Sequence, residues 1–193
     1  MKIYDCFMYF DEEVVVDVRF NTLDKFVDYF VIIESRFTHK GDLRKLKFNH
    51  KKFEKFKNKI IYLIYEDMPK EIQIINKDDP PKHKSWKGIE NAMYRENGQR
   101  NFIHKGLNHA NEDDFILISD VDEIPNLSGV NFAKLKQKIV LFKQNMFYYK
   151  FNLAIPNFNW TGTKGCKKKN LISPQWLRNI KDRKYSFFRI DTF

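Results

Sequence analysis

The chain has 193 residues, 35 Lys and Arg against 25 Asp and Glu, and a formal net charge of +10. A hydrophobic content of 42% with 16% aromatics argues against disorder, and two cysteines, Cys6 and Cys166, exclude a disulfide scaffold. No apolar run reaches the roughly 18 residues of a membrane helix, and the first residues carry no signal-peptide pattern, so the sequence predicts one soluble, cytoplasmic domain with reduced thiols.

Ile3–Met8 alternates as a first strand. Asp11 or Glu12 opens a helical stretch to about Leu23, with Val14, Val15, Val18 and Leu23 as its apolar side. Tyr29–Ile33 is a short continuous apolar run, the mark of a strand buried on both faces, and Glu34 and Ser35 stop it. Phe48–Phe56 is a weak basic helix and Ile60–Ile64 a third buried strand. A polar, proline-bearing loop spans Pro69 to Pro81. Trp86–Leu107 reads as a long helix interrupted by Gly98. Phe115–Ile118 is a fourth buried strand, Phe132–Lys138 a short helix, and Ile139–Ile155 one or two longer strands or a hairpin. Strands that alternate with helices predict an α/β fold: a mostly parallel central sheet flanked by helices, with a more β-rich C-terminal part. Such sheets bind ligands at the carboxyl ends of their strands, so the polar residues that end the strands are the ones to inspect.

Asp120, Asp122 and Glu123 directly follow the fourth strand. Crowded carboxylates raise one another's pKa unless a cation joins them, and Mg²⁺ or Mn²⁺ relieves that repulsion with one or two carboxylates, water and substrate phosphates. In extended backbone Asp120 and Asp122 would share a side, with Glu123 pointing away. A solvated acidic turn is the plainer reading of the same residues. In the predicted long helix, Ile89, Met93, Glu96, Arg100, Ile103 and Leu107 fall on one stripe. Arg100 in that stripe needs a partner, either Glu96 one turn away or an anionic ligand above the strand ends. Glu34 is either a simple strand terminator or an acceptor for a ribose or base. Asp5, inside the first strand, reads as structural.

Other chemistries find little support. The five histidines lack metal-site spacing, with His104 and His109 expected to face solvent. Phosphate-binding glycine loops are absent from the sequence. The positive charge is mostly dispersed lysine, which fits compositional drift better than nucleic-acid reading, where Arg is favoured. Attraction to a phosphorylated ligand, or peripheral contact with an anionic membrane surface, is a milder reading.

Several blocks resemble glycosyltransferase family 17, in order along most of the chain. They are Asp5-Cys6-Phe7, Phe10-Asp11-Glu12 and Val16–Phe20, then Val27–Ser35 with Thr38 and Gly41, then Glu96–Asn101. Ser119–Pro125 is similar to the most specific signature, and Trp160-Thr161-Gly162 and Pro174–Arg178 continue in register. The resemblance implies a GT-A fold over 1–193 and inverting transfer of a sugar such as N-acetylglucosamine. It further implies UDP-GlcNAc as donor, a glycan acceptor, and Mn²⁺ or Mg²⁺ as cofactor. Carried over by position, Asp122 would bind the metal directly and Asp120 would face the ribose and the metal's water shell. Arg100 and Glu34 would flank the nucleotide. Lys164, Lys167 or Lys168 could meet leaving-group charge, although a solvated charge run is the plainer reading. Trp160 or Trp176 could stack on an acceptor sugar or pack in the core. The general base is unidentified, with Asp182, Asp191 and Glu123 as candidates. The family also implies a Gly-Trp-His segment beyond the last residues, Ser186–Phe193, so the domain reads as shortened at that end. The rivals are an inactive nucleotide- or glycan-binding remnant, a HAD-type Mg²⁺ phosphatase and a nucleic-acid-binding module. The phosphatase motif differs, sitting near the N-terminus as DxDG[TV].

Overall fold

In the computed structural model, which describes residues 1–147 and 153–182, strand and helix alternate through the first half of the chain. β1 (Ile3–Tyr9) leads into α1 (Glu13–Leu23), β2 (Tyr29–Ser35), a 3-10 segment at His50–Lys59 and β3 (Ile60–Tyr65). α2 (Pro81–Asn101) and α3 (Ile103–Gly106) precede β4 (Phe115–Ser119). The second half contains β5 (Ile139–Leu141), β6 (Gln144–Phe147), β7 (Ala154–Trp160), β8 (Lys164–Lys167) and α4 (Pro174–Asn179). The short helix expected at Phe132–Lys138 is one 3-10 turn, Phe132–Lys134.

Six strands form one sheet in the order β3-β2-β1-β4-β8-β5. β1 to β4 are mutually parallel, whereas β8 runs against both β4 and β5. The sheet is therefore mixed: parallel as expected over four strands, reversed at β8. β6 and β7 form a separate antiparallel pair, so the aromatic stretch after residue 139 divides between two sheets.

The apolar runs are explained by burial on both faces. On one face Phe7, Phe30, Ile32, Phe115 and Leu117 pack with Val16, Phe20 and Leu23 of α1 and with Phe53 and Phe56. On the other, Cys6, Val31, Ile33, Ile116 and Ile118 pack with Ile103, Leu107 and Leu177. Each such side chain removed from water contributes about 1.5–3 kcal/mol, and alternation along the strand divides them between the two layers. Both cysteines are free and buried, and burial pushes their thiols up, Cys166 to about 12. Among the described residues no helix is long and apolar enough to cross a membrane.

Two helices present other faces than the apolar pattern implied. In α1 the buried residues are Val16, Arg19, Phe20 and Leu23, while Val14 and Val18 are exposed. Arg19 turns inward because Asp5 of β1 meets its guanidinium at 2.6 Å, both side chains having no solvent exposure. In α2, Ile89 and Met93 are exposed, whereas Asn91, Gln99 and Arg100 are buried. The first half of α2 packs on the 66–80 loop through amide pairing: the Gln73 N–H donates to Asn91 Oδ1, and Asn91 Nδ2 donates to the Gln73 carbonyl, each at 2.8 Å. Gly98 does not interrupt α2. It makes room for Tyr65, whose hydroxyl a Cβ at position 98 would strike.

Candidate active site at the carboxyl ends of the strands

β1 lies between β2 and β4, so the chain leaves it in opposite directions along the sheet. A crevice outside the strand ends at such a reversal is the usual ligand position in open α/β sheets. A cavity of about 780 Å³ opens there. Tyr9 at the end of β1 and residues following β1 (Phe10, Glu12), β2 (Phe37–Lys40 and Asp42) and β4 (Asp120–Asp122) line it, together with Glu96, Gln99 and Arg100 of α2.

The acidic segment is a turn and not an extension of β4. Glu123 N–H donates to the Asp120 carbonyl at 3.1 Å, and Asp120 N–H donates to Glu123 Oε2 at 2.8 Å. The extended alternation expected of this run is thus replaced by chain reversal. Asp120 and Asp122 still line one cavity, and Glu123 points elsewhere. The indole N–H of Trp160 donates to Glu123 Oε1 at 2.7 Å, and Arg178 donates to the same oxygen at 2.8 Å. Gly162 is required beside them, since a Cβ there would run into the Glu123 carboxyl and the Trp160 indole nitrogen.

Asp120 sits between two guanidinium groups. Arg100 reaches Oδ1 at 3.0 Å and Arg178 reaches Oδ2 at 2.6 Å. Burial pushes the Asp120 carboxyl up, but the charges of Arg178 and Arg100 outweigh it and hold it below the ordinary carboxylate value. Burial likewise acts to lower Arg178, and Asp120 and Glu123 more than compensate. Arg100 also pairs with Glu96 at 2.8 Å and donates to Gln175 Oε1 at 2.6 Å. Its ion pair with Glu96 and its reach over the strand ends therefore coexist.

Asp120, Arg100 and Glu96 also form one wall of a second cavity, of about 230 Å³. Its other walls include Trp160, Lys164 and Arg178. Lys164 is buried at the start of β8, and its ammonium donates to the Arg178 carbonyl. Burial, then the charges of Arg178 and Lys181, push it down to about 8. Lys167, Lys168 and Lys169 lie at the other end of β8 or beyond it, where Asp113 and Glu112 pair with them. A third cleft of about 620 Å³, lined by Ile72, Ile75, Ile89, Lys40 and Arg95 among others, has no carboxylate in its walls.

Several predicted residues stand away from this arrangement. Glu34 is fully buried and does not line either cavity. Its carboxylate accepts from the N–H groups of Lys47 and Phe48 at 2.6 and 3.1 Å, from Tyr62 Oη at 2.8 Å, and pairs with Arg44 at 3.0 Å. Those bonds fasten the segment after β2 to the sheet. Trp176 packs partly buried against the core. Asp182 pairs with Lys143 at 3.9 Å, both well exposed. Asp191 lies outside the described residues. His104 and His109 are exposed, as expected. Arg178 was not singled out by pattern reading. Its signal was its place in the block Pro174–Arg178 and the need of three neighbouring carboxylates for a cation.

The residues fit one kind of metal site. Among the described residues no three His, Cys, Asp or Glu side chains converge on a point. Both oxygens of Asp120 and of Glu123 are already paired. Asp122 is exposed in the cavity wall, and among the described residues no side chain pairs with it. One free carboxylate suits a hard divalent ion that fills its remaining positions with water and substrate phosphates.

Comparison with known proteins gives this arrangement a family. Beta-1,4-mannosyl-glycoprotein 4-beta-N-acetylglucosaminyltransferases of Homo sapiens and Rattus norvegicus are each 27% identical to the chain over 193 residues. The Mus musculus protein is 26% identical. Each match covers 93% of this chain but 32% of the relative, so the chain spans about a third of the length of the curated relatives it matches. The family model described as Glycosyltransferase family 17 matches residues 1–172, which takes in the strand-end cavity, the acidic turn, Trp160 and Lys164, and on that match the chain belongs to glycosyltransferase family 17.

Proposed function

We propose that the chain is a metal-dependent, inverting glycosyltransferase of GT-A type, moving N-acetylglucosamine from UDP-GlcNAc to a glycan acceptor. The observation that supports this most is the unpartnered Asp122 carboxylate in a large strand-end cavity, beside the Arg100–Asp120–Arg178 ion-pair array. The family membership and the names of the relatives point the same way.

In this reading Asp122 would hold Mn²⁺ or Mg²⁺, and Asp120, kept in place by Arg100 and Arg178, would lie on the side of the ion and the ribose. When bound, the ion supplies Lewis-acid neutralisation of a nucleoside diphosphate leaving group. The protein's own cations act on the same charge. Arg100 and Arg178 are fixed by Glu96, Gln175 and Glu123, so they need little rearrangement as negative charge grows. Lys164 adds a third positive group in the smaller cavity. Trp160, with its indole N–H held by Glu123, presents a fixed ring beside that cavity for an acceptor sugar. Glu123 serves as a positioning residue, because Trp160, Arg178 and the Asp120 N–H occupy its oxygens.

Thermal shift with UDP and UDP-sugars, with and without Mn²⁺, tests the reading. A ligand bound only by the folded state at 100 times its Kd adds about 2.7 kcal/mol of stability. UDP with Mn²⁺ raises the Tm of the native chain, and Asp122→Ala removes that rise. Absence of a shift with every nucleotide would reject the donor site. A shift without sugar transfer or donor hydrolysis would leave nucleotide binding and reject catalysis.

A further inference from the structure

Arg19 has no solvent exposure and lies under the acidic turn. Its Nε and one terminal nitrogen form a two-pronged bond with Asp5, at 2.7 and 2.6 Å. The same terminal nitrogen donates to Ser119 Oγ at 2.5 Å, the last residue of β4. The other donates to three carbonyls of the turn: Asp120 at 3.1 Å, Val121 at 3.0 Å and Glu123 at 3.2 Å. Phe7 packs against the guanidinium at 4.8 Å from its ring centroid, which keeps the group dry. A lysine could not reproduce this set, because a single ammonium lacks the planar fork that meets Asp5 and the turn together.

The consequence is directional. Successive carbonyls of a turn would ordinarily face water. Here those of Asp120 and Val121 point inward to one fixed cation. The N–H groups of Val121 and Asp122 belong to those same trans peptides and so point the opposite way. Both residues line the larger cavity.

We infer that Arg19 is a positioning residue of the donor site, locked by Asp5, which sets the Asp120–Glu123 turn so that Asp122 and the Val121 and Asp122 N–H groups are presented to the ligand. Its value for function rests on the donor-site reading given above, whereas its hold on the turn stands by itself. Arg19→Lys keeps the charge and loses the fork. Positioning groups behind metal ligands typically alter affinity roughly 10–100-fold.

Two measurements on Arg19→Lys decide the matter, with Val16→Ala on the same buried face of α1 as the control for lost packing. Hydrogen exchange of the free protein comes first. The Asp120 and Glu123 amides, both bonded within the turn, lose protection in Arg19→Lys, while β1 and β2 amides stay protected and Val16→Ala leaves the turn unchanged. Second, affinity for UDP with Mn²⁺ falls roughly 10–100-fold in Arg19→Lys and stays within about twofold in Val16→Ala. Should Arg19→Lys fail to fold, Ser119→Ala removes one of the anchors and loosens the same amides to a smaller degree. Unchanged turn protection in both variants overturns the inference, as does an equal loss of protection in Val16→Ala. A native chain that binds no UDP rejects the donor-site reading instead, and the exchange data still decide whether Arg19 holds the turn.

Discussion

Four charged residues show how a side chain's role depends on what faces it across the fold. Glu34 sits at the end of one buried parallel strand and Asp120 directly after another, and sequence pattern treats them alike. The segment 44–48 folds over Glu34 and, with Tyr62 of β3, occupies both its carboxylate oxygens, whereas Asp120 stays 38% exposed in a cavity wall. Nothing local to the sequence around Glu34 announces that segment. Arg19 and Arg178 were similarly hidden, because the partners of Arg19 lie 14 to 104 positions away and the carboxylates that Arg178 meets lie 55 and 58 positions away. Replacement of Arg178 by Met should cost about 2 kcal/mol in urea unfolding, short of the roughly 3–5 kcal/mol for a fully buried pair because water screens Asp120. The same variant should change acid stability. In the native fold the Asp120 carboxyl lies below its ordinary 3.8, so the unfolded chain takes up the proton first as pH falls. The pair's contribution is thus complete above about pH 3.8 and is lost as pH drops through the folded-state value. Arg178→Met should flatten the fall in stability over that acid range, measured as urea midpoint against pH.

At the level of elements, the four parallel strands were legible, whereas the reversed strand β8 and the helix faces were not. A strand buried on both sides needs only apolar residues, so Tyr29–Ile33 and Phe115–Ile118 could be read directly, while Ile60–Ile64, expected to be buried, lies in the partly buried edge strand β3. A helix face depends on what it meets. α1 meets Asp5 and turns Arg19 inward; α2 meets a loop's backbone and turns Asn91 inward. Glycine was misread for the same reason. As a local signal Gly98 suggests a break, yet its function is to admit Tyr65. Gly98→Ala should therefore destabilise. Helix propensity favours Ala by about 1 kcal/mol, but overpacking against a fixed ring costs about 1–3 kcal/mol. The net loss should shrink when Tyr65→Phe is added, and a double-mutant cycle in urea measures that coupling. A stabilised Gly98→Ala would show that Tyr65 moves aside freely.

Across the whole molecule, the reversed strand β8 sorts the lysines. It places Lys164 at the cavity end of the sheet and Lys167 with its neighbours at the far end, paired with acidic residues. The +10 charge is thus unevenly distributed, and one lysine at the cavity end has its proton loosened by burial. Two opposite trends should follow above pH 8. The unfolded chain holds the Lys164 proton up to about 10.5 and the folded chain only to about 8, so stability rises with pH between those values. Affinity for UDP should fall over the same range as the smaller cavity loses positive charge. Lys164→Met should abolish both trends, read by urea midpoint and by UDP titration at pH 7 and pH 9.

The wall formed by Glu96, Arg100 and Asp120 belongs to both cavities. Whatever occupies either space draws on the same guanidinium and the same carboxylate. An anion that takes Arg100 in one cavity alters the field felt in the other. Linkage makes that influence mutual: the factor by which a first ligand changes a second ligand's affinity is the factor returned. On the proposed function, donor and acceptor would thus be thermodynamically coupled, and the strength of their coupling would be written in one shared row of charges.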